Sequence, residues 1–207
     1  MEIAPRTHML EIDAGAGGRL FPVLTWDEDH AVLIDAGYPG QIDLFASAIA
    51  EAGQNAANIT EIILTHQDLD HIGCVKDLLK LAPNVRVISH ADEAPYIDGS
   101  LPPQKGFPSQ HIHVDQTVTD GEVLPYCGGI EAVHAPGHTP GSVCLYLQAS
   151  GVMVGGDAFN IADGKLAGPN PQYTDDMEQG LKSLEKVKAR RPDSVVAYHG
   201  GFLKCGG

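Results

Sequence analysis

The chain has 207 residues, 43% of them hydrophobic, and carries 27 acidic against 13 basic side chains for a formal net charge of −14. That length and apolar content suffice for one large domain with a substantial core, so a single domain over residues 1–207 is expected. The acidic excess, unbroken by any Lys/Arg cluster, speaks against nucleic acid or an anionic membrane as partner, and with neither a leader-like N-terminus nor an apolar run of about 18 residues, a cytoplasmic protein acting on a small molecule is expected.

"HMLEI" (8–12) and "LFPVLTW" (20–26) read as β-prone runs separated by the glycine turn "AGAGG", and "AVLIDAG" (31–37) as a third strand ending at Asp35 and Gly37. "GQIDLFASAIAEAG" (40–53) spaces Ile42, Phe45, Ile49 and Ala52 at helical intervals and closes on Gly53. A short buried strand through Ile62–Leu64 follows, then helical periodicity in "CVKDLLKLA" (74–82) and a strand at "VRVIS" (85–89). Residues 98–110, with three prolines and no periodicity, form a loop long enough to be a binding loop. Strands "GIEAVHA" (129–135), "SVCLYLQ" (142–148) and "VMVGGD" (152–157) come next, then a helix from 175 to 190 and a last strand "SVVAYHG" (194–200). Short strands mixed with covering helices specify an α/β (α+β) layered sandwich. The cysteines Cys74, Cys127, Cys144 and Cys205 contain no C-x-x-C pair and read as idle or buried thiols.

In "EIILTHQDLDHIG" (61–73) an apolar strand stops at His66, Asp68, Asp70 and His71. Two carboxylates and two imidazoles at the mouth of a buried strand are costly to keep there unless a cation neutralises them. A helix N-cap accounts for an acidic residue at such a place but not for the flanking histidines. Three later strands end the same way: "AVHAPGHTPGS" delivers His138, "VMVGGDAF" Asp157 and "VVAYHGG" His199. Strand ends that converge on one edge would bring seven N and O donors to one pocket, the inventory that two adjacent divalent ions require. His134 receives no metal role; His8, His30 and His90 read as surface or loop residues, as do His111 and His113, the last two being candidates for the groove wall.

"THQDLDHIG", "APGHTPGS", "GGDAF", "YHGG" and the earlier "LIDAG", in this order and spacing, resemble the motif series of the metallo-β-lactamase-fold hydrolase superfamily over residues 31–200. The resemblance implies a four-layer αββα sandwich with metals in a groove at one edge of the sheets. It implies His66, Asp68 and His138 as ligands of a first metal, Asp70, His71 and His199 as ligands of a second, and Asp157 bridging both. Asp35 would orient the metal-binding loop.

The family pattern is H-x-H-x-D-H, whereas this chain has H-x-D-x-D-H. The family histidine there resembles a ligand bound through Nδ1, two bonds from Cβ, and an aspartate oxygen is also two bonds from Cβ. Asp68 can therefore reach nearly the same point, exchanging a neutral nitrogen for an anionic oxygen. With two divalent ions, a bridging hydroxide and the carboxylates of Asp70 and Asp157, the site sums to about +1, and Asp68 brings it to about zero. Zinc is the first expectation for both ions, with iron or manganese as alternatives given the added oxygen donor. The implied activity is hydrolysis in which a hydroxide bridging two divalent metals attacks a small ester, lactone or β-lactam carbonyl, with Asp70 as the catalytic group that orients it and manages its proton. The alternative is a redox protein similar to the di-iron oxygen and nitric-oxide reductases of the same fold, whose motif is H-x-E-x-D-H, served by a separate electron donor. Substrate-binding residues and oligomeric state are left open.

Overall fold

Runs of Val, Ile and Leu only three to five residues long, cut by Gly, Pro and Asp, yield short strands with helices between them. The structure, a computed structural model, describes residues 1–106 and 108–206. Two hairpins come first, β1 (Glu2–Ala4) with β2 (Thr7–Met9) and β3 (Ile12–Gly15) with β4 (Gly18–Leu20). Next are β5 (Val23–Trp26), β6 (Ala31–Ile34), helix α1 (Ile42–Glu51), β7 (Glu61–Leu64), helices α2 (Leu69–Ile72) and α3 (Val75–Leu81), β8 (Arg86–His90), α4 (Ala94–Ile97) and β9 (Gln116–Val118). The remainder is β10 (Val123–Leu124), β11 (Ile130–His134), β12 (Val143–Leu147), β13 (Val152–Val154), the hairpin β14 (Asn160–Ala162) and β15 (Lys165–Ala167), α5 (Met177–Ala189), β16 (Ser194–Ala197) and β17 (Gly201–Lys204).

Two mixed sheets result, ordered β1-β2-β5-β6-β7-β8-β9 and β10-β11-β12-β13-β16-β17. The pairs β6–β7, β7–β8, β8–β9 and β13–β16 are parallel.

Side-chain alternation assigns the layers. Val32, Ile34, Ile63 and Ile88 on the first sheet meet Ile130, Val143, Leu145, Val152, Val154 and Val196 on the second, forming the core between the sheets. Their neighbours Leu33, Ile62, Leu64 and Val87 point the other way, onto Phe45 and Ile49 of α1 and Val75 and Leu78 of α3. On the far side Cys144, Met153, Val195 and Ala197 pack against Leu184 and Val187 of α5. The order is helix, sheet, sheet, helix: the four-layer αββα sandwich. Strands buried on both faces read as continuous apolar runs, as "AVLI" and "EIIL" do here. Each fully buried Ile, Leu or Val there stabilises the fold by about 1.5–3 kcal/mol relative to exposure.

Two expected strands are interrupted. "HMLEI" splits after Met9, because Leu10 N–H donates to Pro22 O (2.8 Å) and Ile12 opens the separate β3–β4 hairpin. "LFPVLTW" splits at Phe21 and Pro22, since proline offers no N–H to a ladder and Phe21 N–H is taken by Tyr198 O (2.9 Å). α1 and α3 fall inside the expected helices, and Gly53 follows α1 at φ 78°. α5 is capped by Asp176, whose carboxylate accepts from Gln179 N–H (2.9 Å). The loop 98–110 runs on from α4, with Phe107 outside the described residues. No helix among the described residues is long and apolar enough to cross a membrane.

Candidate metal centre

In an open sheet of parallel strands, the carboxyl ends are where chains turn and polar groups can be left facing a crevice. Asp35 follows β6, His66 follows β7, Asp157 lies three residues beyond β13, and His199 two beyond β16; His138 lies in the turn between β11 and β12. After His66 the backbone reaches Asp68 in an extended conformation (φ −64°, ψ 144°) at the N-cap of α2. Its side chain makes no capping bond, so the carboxylate is turned to other partners. Asp70 and His71 lie on α2 itself.

The seven expected ligands come together. Asp68 Oδ2 is 3.1 Å from His138 Nε2 and 3.5 Å from His66 Nε2, and His138 Nε2 is 3.6 Å from Asp157 Oδ2. The other oxygen, Asp157 Oδ1, is 3.5 Å from both His71 Nε2 and His199 Nε2, while Asp70 Oδ2 is 3.2 Å from His199 Nε2 and 3.8 Å from His71 Nε2. Donors bonded at about 2.0–2.1 Å in a tetrahedron stand about 3.3–3.4 Å apart, so these separations are compatible with two ligand sets, and Asp68 Oδ2 and His138 Nε2 also lie at direct hydrogen-bond distance. Asp157 offers one oxygen to each set.

The residues fit divalent ions by a second observation: Nε2 of His66 and of His71 are fully buried with no hydrogen-bond partner. Orphaned buried nitrogens are costly, and two of them facing carboxylates across about 3.5 Å leave a place shaped for a cation. The other ring nitrogens are occupied. His71 Nδ1 lies 2.8 Å from Asp35 Oδ2, and His66 Nδ1 lies 3.1 Å from Thr65 Oγ1. Asp35 also accepts from Thr65 N–H (2.9 Å) and Thr65 O–H (2.8 Å), and holds a left-handed backbone (φ 63°) unusual for a non-glycine residue.

The electrostatics separate the groups. Burial, reinforced by His71, pushes His66 down to about 4. Burial also opposes charge on His71, but Asp35, Asp70 and Asp157 outweigh it and raise the imidazole well above its usual value. His199 is drawn up to about 9, its burial outweighed by Asp157 and Asp70. Burial resists ionisation of Asp68, Asp70 and Asp157, yet each is held below the usual carboxylate range: Asp68 by His66, His138 and Lys105, Asp70 by His71 and His199, and Asp157 by His71 and His199. Bound metal would displace those imidazole protons.

Four residues around the site carried no sequence signal of their own. Glu93, fully buried beside α4, accepts from Gln67 N–H (3.0 Å), Gln67 Nε2 (3.2 Å), Gly141 N–H (2.9 Å) and the Thr139 hydroxyl, tying the His66 loop to the His138 loop. Tyr198 donates to Asp70 O (2.7 Å), accepts from Gly37 N–H (3.1 Å), and lays its ring on His71 at 3.9 Å. The loop 98–110 brings Lys105 to Asp68 and pairs its Gln104 with Gln67, which lies between His66 and Asp68, through contacts that span 37 residues of chain. The cavity over the centre, ≈ 500 Å³, is walled by Asp68, Asp70, His138, Asp157 and His199, with Tyr38, Phe159, Asn160, Asn170, Tyr173 and Lys105 completing it. His111 and His113 do not line it. His90, expected at the surface, is buried and stacked on His134 (4.1 Å, 8°), and these two with Asp92 form a third His/Asp group among the described residues.

An αββα sandwich with this His/Asp edge defines a class, and the sequence agrees: residues 22–199 match the model of the metallo-beta-lactamase superfamily, and the chain belongs to that family. It is similar to the protein YobT of Bacillus subtilis (strain 168), 30% identical over 89% of this chain and 86% of that one. The probable metallo-hydrolase YflN of the same organism is 30% identical over 84% of this chain and 76% of its own length. Among solved structures, the metallo-beta-lactamase family protein TTHA1429 of Thermus thermophilus shares the fold at a TM-score of 0.74, with 21% identity over 98% of this chain and 76% of that one.

Proposed function

We propose that the chain is a metal-dependent hydrolase of small carbonyl substrates, an ester, lactone or β-lactam, with a centre for two divalent ions. The observation that carries this reading is the pair of orphaned imidazole nitrogens facing the divided oxygens of Asp157. His66, Asp68 and His138 would hold one ion, Asp70, His71 and His199 the other, and Asp157 both; zinc is the first candidate. When bound, such ions polarise a carbonyl oxygen and acidify water. Asp70 fixes the geometry through its place on α2 and takes the proton released by the attacking water at its carboxylate, passing it to the leaving group. The aromatic rings of Tyr38 and Tyr173 at the cavity rim suit the apolar part of a small substrate. The hydrolase name of YflN supports the same reading, and no observation favours the di-iron redox alternative.

The test is a panel of activated ester, lactone and β-lactam substrates assayed with metal-loaded and chelator-treated protein. Turnover of one class that vanishes with chelator and returns with metal is expected. Absence of hydrolysis across the panel, with oxygen or nitric-oxide consumption by reduced iron-loaded protein, would overturn it.

A further inference from the structure

One cation already stands among the ligands. Lys105 Nζ lies 2.7 Å from Asp68 Oδ2 and 2.7 Å from His138 Nε2, bonding two of the three residues that belong to the first set alone. Both partners of the ion pair are shielded, their side chains 16% and 11% exposed. No other Lys or Arg lines the cavity among the described residues.

The placement is built in. Gln67, the residue between His66 and Asp68, donates from Nε2 to Gln104 Oε1 (3.1 Å) and accepts Gln104 N–H at its own Oε1 (3.1 Å). Gln67 is fixed in turn by Glu93 through its N–H and Nε2. This reciprocal amide pair anchors the segment that carries Lys105 to the metal-motif loop itself. A histidine at position 68 could not form an ion pair with the ammonium; the aspartate can.

We propose that the Lys105 ammonium and a divalent ion compete for the place between Asp68 and His138, so that the set of Asp70, His71, Asp157 and His199 fills first. The inference rests on the reading of this edge as a metal centre. An ion entering the first set must break a charge-assisted bond to Asp68, release His138 Nε2 from the ammonium and bear the nearby positive charge. No ammonium faces the second set among the described residues; an ion there displaces only the protons of His71 and His199.

Zinc titration of chelator-stripped full-length protein, followed by calorimetry and by competition with a chromophoric chelator, reads this without reference to activity. The wild type should take up one tight equivalent and a second weaker by at least about tenfold. Lys105→Ala and Lys105→Met, the latter keeping the apolar stem, should bring the second equivalent close to the first. Lys105→Arg should retain the wild-type asymmetry, and Gln67→Ala should shift it part of the way. Circular dichroism verifies that each variant is folded. Two equally tight equivalents in the wild type, or an asymmetry unmoved in both Lys105→Ala and Lys105→Met, overturns the competition while leaving the metal centre intact. No zinc bound by any variant overturns the metal reading and this inference with it.

Discussion

At the scale of single residues, Asp35 sets which nitrogen of His71 is free. Its Oδ2 at 2.8 Å fixes the proton on Nδ1, so that Nε2, facing Asp157 and Asp70, is the nitrogen a metal can take once its proton is displaced. Asp35→Asn is nearly isosteric, but its amide hydrogen would point at Nδ1 and drive the proton to Nε2. Metal affinity should fall by about 10–100-fold in a chelator-competition assay, a change unmatched by loss of secondary structure. Glu93 offers a pH test. Burial pushes its carboxyl up to about 7 from 4.5, against the pull of its four donors. Because the folded value is the higher one, its contribution to stability is fully present below about 4.5 and is lost as pH rises through about 7. Denaturant unfolding at several pH values should therefore show the stability of wild type relative to Glu93→Gln declining across that window; a flat difference would count against a raised Glu93. The seven candidate ligands could be read in the sequence because each ends or follows an apolar run. Glu93, Tyr198, Gln67 and Lys105 could not, since each acts through a partner at least 26 positions away in the chain, and nothing local marks such a pairing.

At the scale of elements, two motif glycines hold helices close to the ligand loops. A Cβ on Gly137 (φ 137°) would lie 2.4 Å from the Gly180 backbone in α5, and one on Gly73 would lie 2.3 Å from Pro39 Cδ and 2.5 Å from Pro39 N. Backbone cannot yield as a side-chain tip can. Gly137→Ala should lower stability by about 1–3 kcal/mol in chemical unfolding and weaken metal binding by displacing the neighbouring His138. An equivalent change at Gly164, whose Cβ position is open though its φ is 68°, should leave metal binding unchanged. The major strands and helices were legible because burial on both faces writes unbroken, if short, apolar runs, as in β6, and because Phe45 and Ile49 repeat at helical spacing. The small hairpins were not. β3–β4 and β14–β15 are short, glycine-turned hairpins, each forming a two-stranded sheet of its own, and "HMLEI" looks continuous until Leu10 bonds to Pro22.

At the scale of the molecule, the candidate ligands are drawn from both sheets: His66, Asp68, Asp70 and His71 follow β7 of the first, while His138, Asp157 and His199 come from the second. Ions held there would join the two sheets, so removing them should lower thermal stability. Binding at about 100 times Kd contributes about 2.7 kcal/mol, which for a chain of this size is about 5–10 °C in Tm, measurable by scanning calorimetry with and without chelator. The net charge of −14 raises the local concentration of cations, and the metal association rate should fall as salt is added. The division of ligands between sheets also orders events in time. A chain emerging from the ribosome presents His66 first and His199 last, 133 residues later (199 − 66); His138 and Asp157 are made before β16, so the first set is complete in sequence while the second lacks His199 until that strand is in place. Closure of the second set would thus be the last step of vectorial synthesis, and a nascent chain stalled before that strand would carry one grip assembled and the other still open.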